Sequence, residues 1–307
     1  MNFKLVGVGE LLWDLLPGGR QLGGAPANFA YHARALGAEA LVVSRVGEDE
    51  AGRDLIRLLH KLGVPTHGIE IDAEAPTGSV SVAVSTDGQP QFTIHDNVAW
   101  DRLAGGGAGR DAVAVADGVC FGTLAQRSER SREAICGLVK ATPAQALRIL
   151  DVNLRQRFYS RELVQQSLGL SNVLKVNDTE LPRLAEMFRL SGDEREQIAA
   201  LSRRFALRLV ALTRGRHGSL LYSDKDQWSE HGGVAVRVVD TVGAGDSFTA
   251  ALAIGLLAGW ELDEVNQRAN EVAGYVCSQA GATPELPDAL KRPFLAAHTL
   301  APLSAQH

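Results

Sequence analysis

Cysteine is the first scarcity. Cys120, Cys136 and Cys277 lie far apart, and no Cys-x-x-Cys pair occurs. No disulfide framework or thiolate metal cluster is expected, which suits a reducing cytoplasm. Excess positive charge is also missing: the formal net charge is −5 and the pI is about 5.9. That balance argues against a general nucleic-acid or polyanion binder. No apolar run approaches the length of a membrane span. The opening MNFKLVGVGELLWD puts Glu10 and Asp14 where an export signal needs an apolar core, so no such signal is expected. With 45% apolar and 22% charged residues, the 307-residue chain reads as an ordinary soluble protein. It is long enough for one large α/β domain or a core plus a small lobe.

What is present alternates. Lys4–Val8 is a short apolar run that ends in glycine and reads as a buried strand. A helix over Ala25–Leu36 follows, with Pro26 near its start and Gly37 as its stop. Ala40–Ser44 reads as a strand, and Ala51–Leu62 repeats apolar residues at helical spacing before Gly63. Further strands are predicted at Gly118–Phe121, Arg148–Val152, Val173–Val176 and Leu209–Leu212. Strand-then-helix repetition implies a mainly parallel sheet covered by helices.

One region breaks the rhythm. In Ser79–Ser85, Val80, Val82 and Val84 share one face, Thr86-Asp87-Gly88 signals a turn, and Phe92 and Ile94 resume the alternation. This predicts an antiparallel hairpin outside the main sheet, a lid at about 75–100 within a single 1–307 domain. Two strands cannot bury their own apolar face, so the lid must cover a ligand, the core or another subunit's lid. Ala104–Gly109 (AGGGAG) lacks the Lys-Ser/Thr of a phosphate-binding P-loop and reads as a flexible loop.

The most informative stretch is Asp240–Thr249, DTVGAGDSFT, which precedes the apolar run Ala250–Gly259. Gly243 and Gly245 are poor helix formers, so they fit the turn before a helix or its first turn. Asp246 then lies in or near that turn. Helix N-termini carry unpaired N–H groups and partial positive charge, and small residues let an anion approach them. A helix-capping Asp is the plainer reading of Asp246 alone.

Five other motifs sit at predicted element ends. Gly23–Asn28 (GGAPAN) opens the first helix, with Gly24 permitting close approach and Asn28 offering donors and an acceptor to hydroxyls. It equally reads as a turn plus cap. Glu10 and Asp14 follow the first strand, where ligands bind in parallel sheets. Asp151, Asn153 and Arg155 follow another strand; Arg155 could hold a phosphate, or Asp151 and Arg155 form a surface pair. Asn177-Asp178-Thr179-Glu180 suits a capping box as well as a carboxylate that organises Mg²⁺ waters. Thr213–Gly218 (TRGRHG) is a Gly-rich turn between two strands.

Taken together and in this order, GGAPAN, N-x-x-E, T-x-G-x-x-G and DTVGAGD resemble the PfkB, or ribokinase-like, carbohydrate kinase family over nearly the whole chain. The resemblance implies a three-layer α/β/α sandwich with a mainly parallel sheet and a small β lid. It implies ATP, Mg²⁺ and a monovalent cation, K⁺, as companions. It makes Gly243, Ala244 and Gly245 an anion hole for the transferring phosphoryl group and Asp246 the catalytic base. Asp14, Gly24 and Asn28 match sugar-binding positions. Asn177, Thr213, Gly215, Gly218 and Asn270 match nucleotide positions, and Glu180 matches the Mg²⁺ motif. Asp240, the carbonyl of Val242 and Gly281 match a monovalent-cation site, with Val276 and Gln279 as weaker matches. Phosphoryl transfer asks mainly for positioning and charge stabilisation, which such a set supplies.

Gly9-Glu10 followed by Trp13-Asp14 departs from the ribokinase pattern, and GELLWDLLP, LGGAPANFAYHARALG and HDNVAWD look most like bacterial fructokinases. D-Fructose, phosphorylated at its 6-hydroxyl, is therefore the expected acceptor, with 2-keto-3-deoxygluconate, ribose and nucleosides as alternatives. Lid residues Phe92, Ile94 and His95 are not placed by sequence. A homodimer through the lid would cover its apolar face. A non-catalytic sugar or nucleotide sensor has no need of Asp246. A dinucleotide dehydrogenase needs a third glycine where GVGELL has Leu12.

Overall fold

Short apolar runs build the central strands β1, β8, β10 and β11, and helices separate them. The computed structural model describes residues 2–16, 18–84 and 90–300. In chain order the strands and helices are β1 (Lys4–Val8), β2 (Leu12–Leu16), β3 (Gly19–Gly23), α1 (Ala25–Ala35), β4 (Glu39–Gly47), α2 (Glu50–Lys61), β5 (Ile69–Asp72), β6 (Gly78–Val84) and β7 (Pro90–Ile94). There follow α3 (Gly107–Ala114), β8 (Gly118–Phe121), α4 (Glu129–Lys140), β9 (Leu147–Asp151), α5 (Arg161–Leu170), β10 (Val173–Asn177), α6 (Leu181–Phe188) and α7 (Glu194–Phe205). The last third holds β11 (Leu209–Thr213), β12 (Ser219–Ser223), β13 (Trp228–His231), α8 (Ala244–Leu257), α9 (Leu262–Cys277) and α10 (Asp288–Leu300).

Among the described residues the main sheet has nine strands in the order β13-β12-β11-β10-β9-β8-β1-β4-β5. The pairings from β11 through to β5 are parallel, and β12 and β13 add antiparallel at the other edge. Successive strand residues face opposite sides. Leu5, Val42, Ile149, Val173 and Ala211 thus join a core with residues of α1, α8 and α9. Val6, Val43, Leu150, Leu174 and Val210 join a second core with residues of α4 to α7. The result is the mainly parallel, helix-covered sheet that the strand-helix alternation implies, in the three-layer form that the resemblance implies.

Three features differ from the sequence reading. The hairpin β6–β7 is half of a four-stranded sheet, β3-β2-β6-β7, in which β2 and β6 run parallel. Residues 12–23, with Pro17 and three glycines, carry too little periodicity to reveal this. Asp14 consequently sits on a strand of the second sheet, not in a loop. Gly107 begins α3, so AGGGAG is not wholly loop; the backbone N–H groups of Ala104 and Gly105 are held by the Glu70 carboxylate. The hairpin tip at 85–89 lies outside the described residues, as does the side chain of Phe92.

The helix α8 is built from small residues, and Ser247–Gly255 is buried throughout. Such a helix can lie close to the sheet with α1 and α9 against it. Its N-terminus is thereby fixed at the carboxyl ends of the central strands.

Candidate functional site

Parallel strands end on one rim, and ligands of open α/β sheets bind there. Here the rim carries Gly9 and Glu10 after β1, Val152–Arg155 after β9, Asp178–Glu180 after β10 and Arg214 after β11. The first turn of α8 stands over the middle of it.

That turn starts at Gly243, the residue that caps α8, with φ 78° and no side-chain capping bond. A Cβ there would meet the Ala282 carbonyl oxygen at 2.4 Å, so the turn is pressed against the loop after α9. Ser247 N–H makes the first helical bond, to Gly243 O at 2.9 Å, which leaves the Gly245 and Asp246 amides ahead of the ladder. The Ala244 N–H leans back to Thr241 O at 3.4 Å.

Asp246 is the third residue of α8. Its Oδ2 accepts a 2.8 Å hydrogen bond from Asn28 Nδ2, on the first turn of α1. Burial pushes its carboxyl up to about 6, and the Asp151 charge adds to the rise against the Asn28 bond, Lys175 and Arg155. The group is therefore mostly ionised at neutral pH yet readily takes a proton. Asn28 is 4% exposed and its Oδ1 has no partner.

Glu10 enters the same cluster more deeply than its place after β1 suggested. It is 3% exposed, with Oε2 unpartnered. Burial pushes it up to about 7 against hydrogen bonds from its own amide and that of Ala25, with Asp246 adding to the rise and Arg155 opposing it. Asp14 is raised by burial and lowered by the charge of Arg155. Arg155 itself is exposed. The Glu10 carboxyl, the Asn28 amide and the Arg155 guanidinium thus act on Asp246, and two buried acceptors lack donors. A polyhydroxylated ligand supplies such donors.

Asn177 and Thr213 are paired neighbours at the ends of β10 and β11. Asn177 Oδ1 accepts from the Thr179 and Glu180 amides, while Glu180 Oε2 accepts from Asn177 N–H, which is a capping box. Glu180 Oε1 accepts from Leu154 N–H, and burial raises the group. Each oxygen keeps further lone pairs, so its donor chemistry fits a water-bridged Mg²⁺. Gly215 opens a 3-10 turn to His217, and Gly218 closes it before β12. Asn270 lies apart from this rim group. It is 7% exposed, and its Nδ2 donates to Ser219 Oγ and Asn266 O at 2.7 and 2.8 Å, holding α9 to β12.

Asp240 joins two loops: Oδ1 accepts from Val242 N–H and Oδ2 from Gly281 N–H, each at 3.0 Å. Val276 is fully buried, and its carbonyl accepts from Gln279 N–H. The group offers a carboxylate and backbone carbonyls, oxygen donors that a hard cation takes.

Sequence reading missed Lys175 and the true partner of Asp151. Of the two readings of Asp151 and Arg155, the surface pair is not seen; Asp151 is buried and pairs with Lys175 at 3.1 Å. A lysine inside the apolar run VLKV was the available signal, since a buried ammonium needs a counter-ion.

A family model described as pfkB family carbohydrate kinase matches residues 18–289. An uncharacterized sugar kinase from Pyrococcus horikoshii is 30% identical over 308 residues, covering 94% of each chain. Its structure in complex with ATP superposes with a TM-score of 0.76 over 91% of this chain and 94% of that one. The fructokinase of Solanum tuberosum is 31% identical over 305 residues, with 92% of each chain covered. A fructokinase double mutant from Vibrio cholerae, solved with fructose, ADP and potassium ion, is 23% identical and shares the fold at a TM-score of 0.76, over 96% and 99% of the chains.

Proposed function

From the premise that this chain belongs to the PfkB family of carbohydrate kinases, we propose that it transfers the γ-phosphoryl group of ATP to the 6-hydroxyl of D-fructose. The observation that carries the reading is Asp246: a partly buried carboxylate on the first turn of α8, bonded to Asn28 and next to the Gly243–Gly245 amides. The fructose assignment draws on the 31% identity to the Solanum tuberosum fructokinase.

In this reading the sugar lies against Asp14, Gly24, Asn28 and Arg155, and the nucleotide against Asn177, Thr213, Gly215 and Gly218. Asn270 backs the nucleotide side by holding α9 to β12. The sugar hydroxyl oxygen attacks the γ-phosphorus as the bond to the β-phosphate bridge breaks. Asp246 receives the hydroxyl proton, and ADP leaves. A single carboxylate suffices as base when it sits beside the acceptor hydroxyl. The amides at Gly243, Ala244 and Gly245 stabilise the charge on the phosphoryl oxygens, at a helix terminus that already favours anions.

Glu180 is the residue that would hold Mg²⁺, which would supply neutralisation of phosphate charge when bound. A monovalent cation at Asp240, the Val242 carbonyl and the 281 loop would fix the turn without touching substrate; the potassium-bound Vibrio cholerae fructokinase is consistent with this. The four-stranded sheet serves as the lid of one kinase domain, excluding water that would otherwise accept the phosphoryl group. Leu15 on β2 is 40% exposed, and a lid-to-lid homodimer would cover it. Sedimentation at working concentration is expected to show a dimer; monomer alone would count against it. Among the described residues no helix is long and apolar enough to cross a membrane. The free cysteines fit the cytoplasm as the place of action.

ADP release from Mg-ATP in the presence of K⁺, measured over fructose, ribose, glucose, 2-keto-3-deoxygluconate and adenosine, tests the acceptor. Fructose is expected to give the highest kcat/KM. A clear preference for another acceptor would keep the mechanism and replace the sugar.

A further inference from the structure

Behind the turn of α8 lies an ion pair that the scheme above leaves unused. Lys175 stands on β10 between Leu174 and Val176, both fully buried, and is itself 6% exposed. Its Nζ is 3.1 Å from Asp151 Oδ2 and 3.2 Å from Oδ1, at the end of the adjacent strand β9. Burying two charges costs the solvation of both, and an apolar pair of similar volume is often as stable or more so. Stability therefore gives little reason for the pair.

Its location gives one. Nζ lies 2.8 Å from where a Cβ on Gly245 would stand, so the ammonium sits under the second residue of α8. A cation at a helix N-terminus is unfavourable unless an anion is near, and it strengthens the site's attraction for one. Thr249 Oγ1 stands 2.9 Å from the Gly245 carbonyl oxygen and 3.3 Å from Asp151 Oδ2, which ties the pair to the turn. Asp151 and Asp246 also line one cavity of about 10 Å³, with Cys120 and Thr249 among its walls. That is room for roughly one water molecule.

We propose that Asp151 and Lys175 are positioning residues for phosphoryl transfer: Lys175 lays a fixed positive charge beneath the Ala244–Gly245 turn, and Asp151 faces Asp246 across the cavity, so that the pair sets the charge felt by the phosphoryl group and the base. This rests on Asp246 being that base. The two charges act on Asp246 in opposite senses, the carboxylate strengthening its hold on a proton and the ammonium weakening it. The other groups facing Asp246 are Asn28 from α1, Glu10 after β1, Arg155 after β9 and Cys120 from β8. They are the same in every variant below, so differences between variants report the pair.

The test is the pH profile of kcat/KM for the full chain with Mg-ATP and the best acceptor of the panel. Asp151→Asn is expected to move the acid limb to lower pH by about one pH unit. Adding Lys175→Met to Asp151→Asn is expected to move it back up. A residue with only a structural role would lower the plateau and leave the limb in place. Coincident limbs, or a second shift in the same direction as the first, overturn the proposal. Should Asp151→Asn not fold, Asp151→Leu with Lys175→Met replaces it; its limb is expected below that of the wild type, and an unmoved limb has the same negative meaning. Asp246→Asn run alongside separates the two ideas. Wild-type turnover in that variant means the base is misassigned, whereas an inactive Asp246→Asn with unmoved limbs means only the ion pair's role is wrong.

Discussion

Asp246→Asn is expected to lose turnover by about 10²–10⁴-fold, the usual contribution of a positioned general base. Sugar affinity should be retained, because an Asn carbonyl can still accept the hydrogen bond from Asn28 Nδ2. Steady-state kinetics combined with calorimetric titration of the sugar separates the two effects. A non-catalytic sensor would show binding without turnover in both proteins, and an unchanged kcat would remove Asp246 from the mechanism.

The same substitution should stabilise the protein. The folded-state carboxyl titrates at about 6, above the ordinary 3.8, so the native state holds this proton more tightly than the unfolded chain. Below the unfolded value both states are protonated and the site costs nothing. As the pH rises through about 6 the native carboxyl must ionise in its buried place, and stability falls. At pH 8 the neutral amide should therefore gain about 1–3 kcal/mol over the wild type. At pH 4 the gain should largely vanish. Thermal unfolding at the two pH values gives the answer, and an equal effect at both would mean that the charge at this position carries no folding penalty.

The second large effect is expected at Gly243. Gly243→Ala must hold a Cβ at φ 78°, where the Ala282 carbonyl oxygen is 2.4 Å away. Neither can yield cheaply, since both are backbone. A loss of about 1–3 kcal/mol in stability follows from the strain. Turnover should drop by roughly 100-fold, because displacing the turn by a fraction of an ångström misdirects its amides. Gly245→Ala makes the contrast: its Cβ meets a side-chain atom, Lys175 Nζ at 2.8 Å, which can shift by a few tenths of an ångström while keeping Asp151, at smaller cost to stability than moving backbone. Denaturant unfolding and kcat of the two variants test the ranking. Equal stability in both would show that the Gly243 turn is not tightly held.

The parts of this molecule that sequence discloses are those set by local rules. Strand and helix periods, Gly37 and Gly63 as helix stops, and the small-residue turn before α8 each act within a few residues. The sandwich and the placing of Asp246 in the first helical turn follow from them. The four-stranded sheet does not, because β2 and β3 are short and separated only by Pro17-Gly18, and the pairing of β2 with β6 spans more than sixty residues. Lys175 and Asp151 read as ordinary members of two strands, and only the parallel register of β9 and β10 makes them neighbours. Glu10 stands after β1, where a ligand carboxylate is expected, but its burial depends on Gly24 and Ala25 at the start of α1 packing against it.

The hydrogen bond between Asn28 and Asp246 spans 218 residues. During synthesis at about 5–20 residues per second, α1 leaves the ribosome roughly 10–40 s before α8. Throughout that interval its buried face has no helical partner of its own to lie against. With Asp246 as the proposed base, the kinase would be inactive until nearly the whole polypeptide has been made. A product truncated before α8 would lack Asp246 and leave the face of α1 that packs on α8 uncovered.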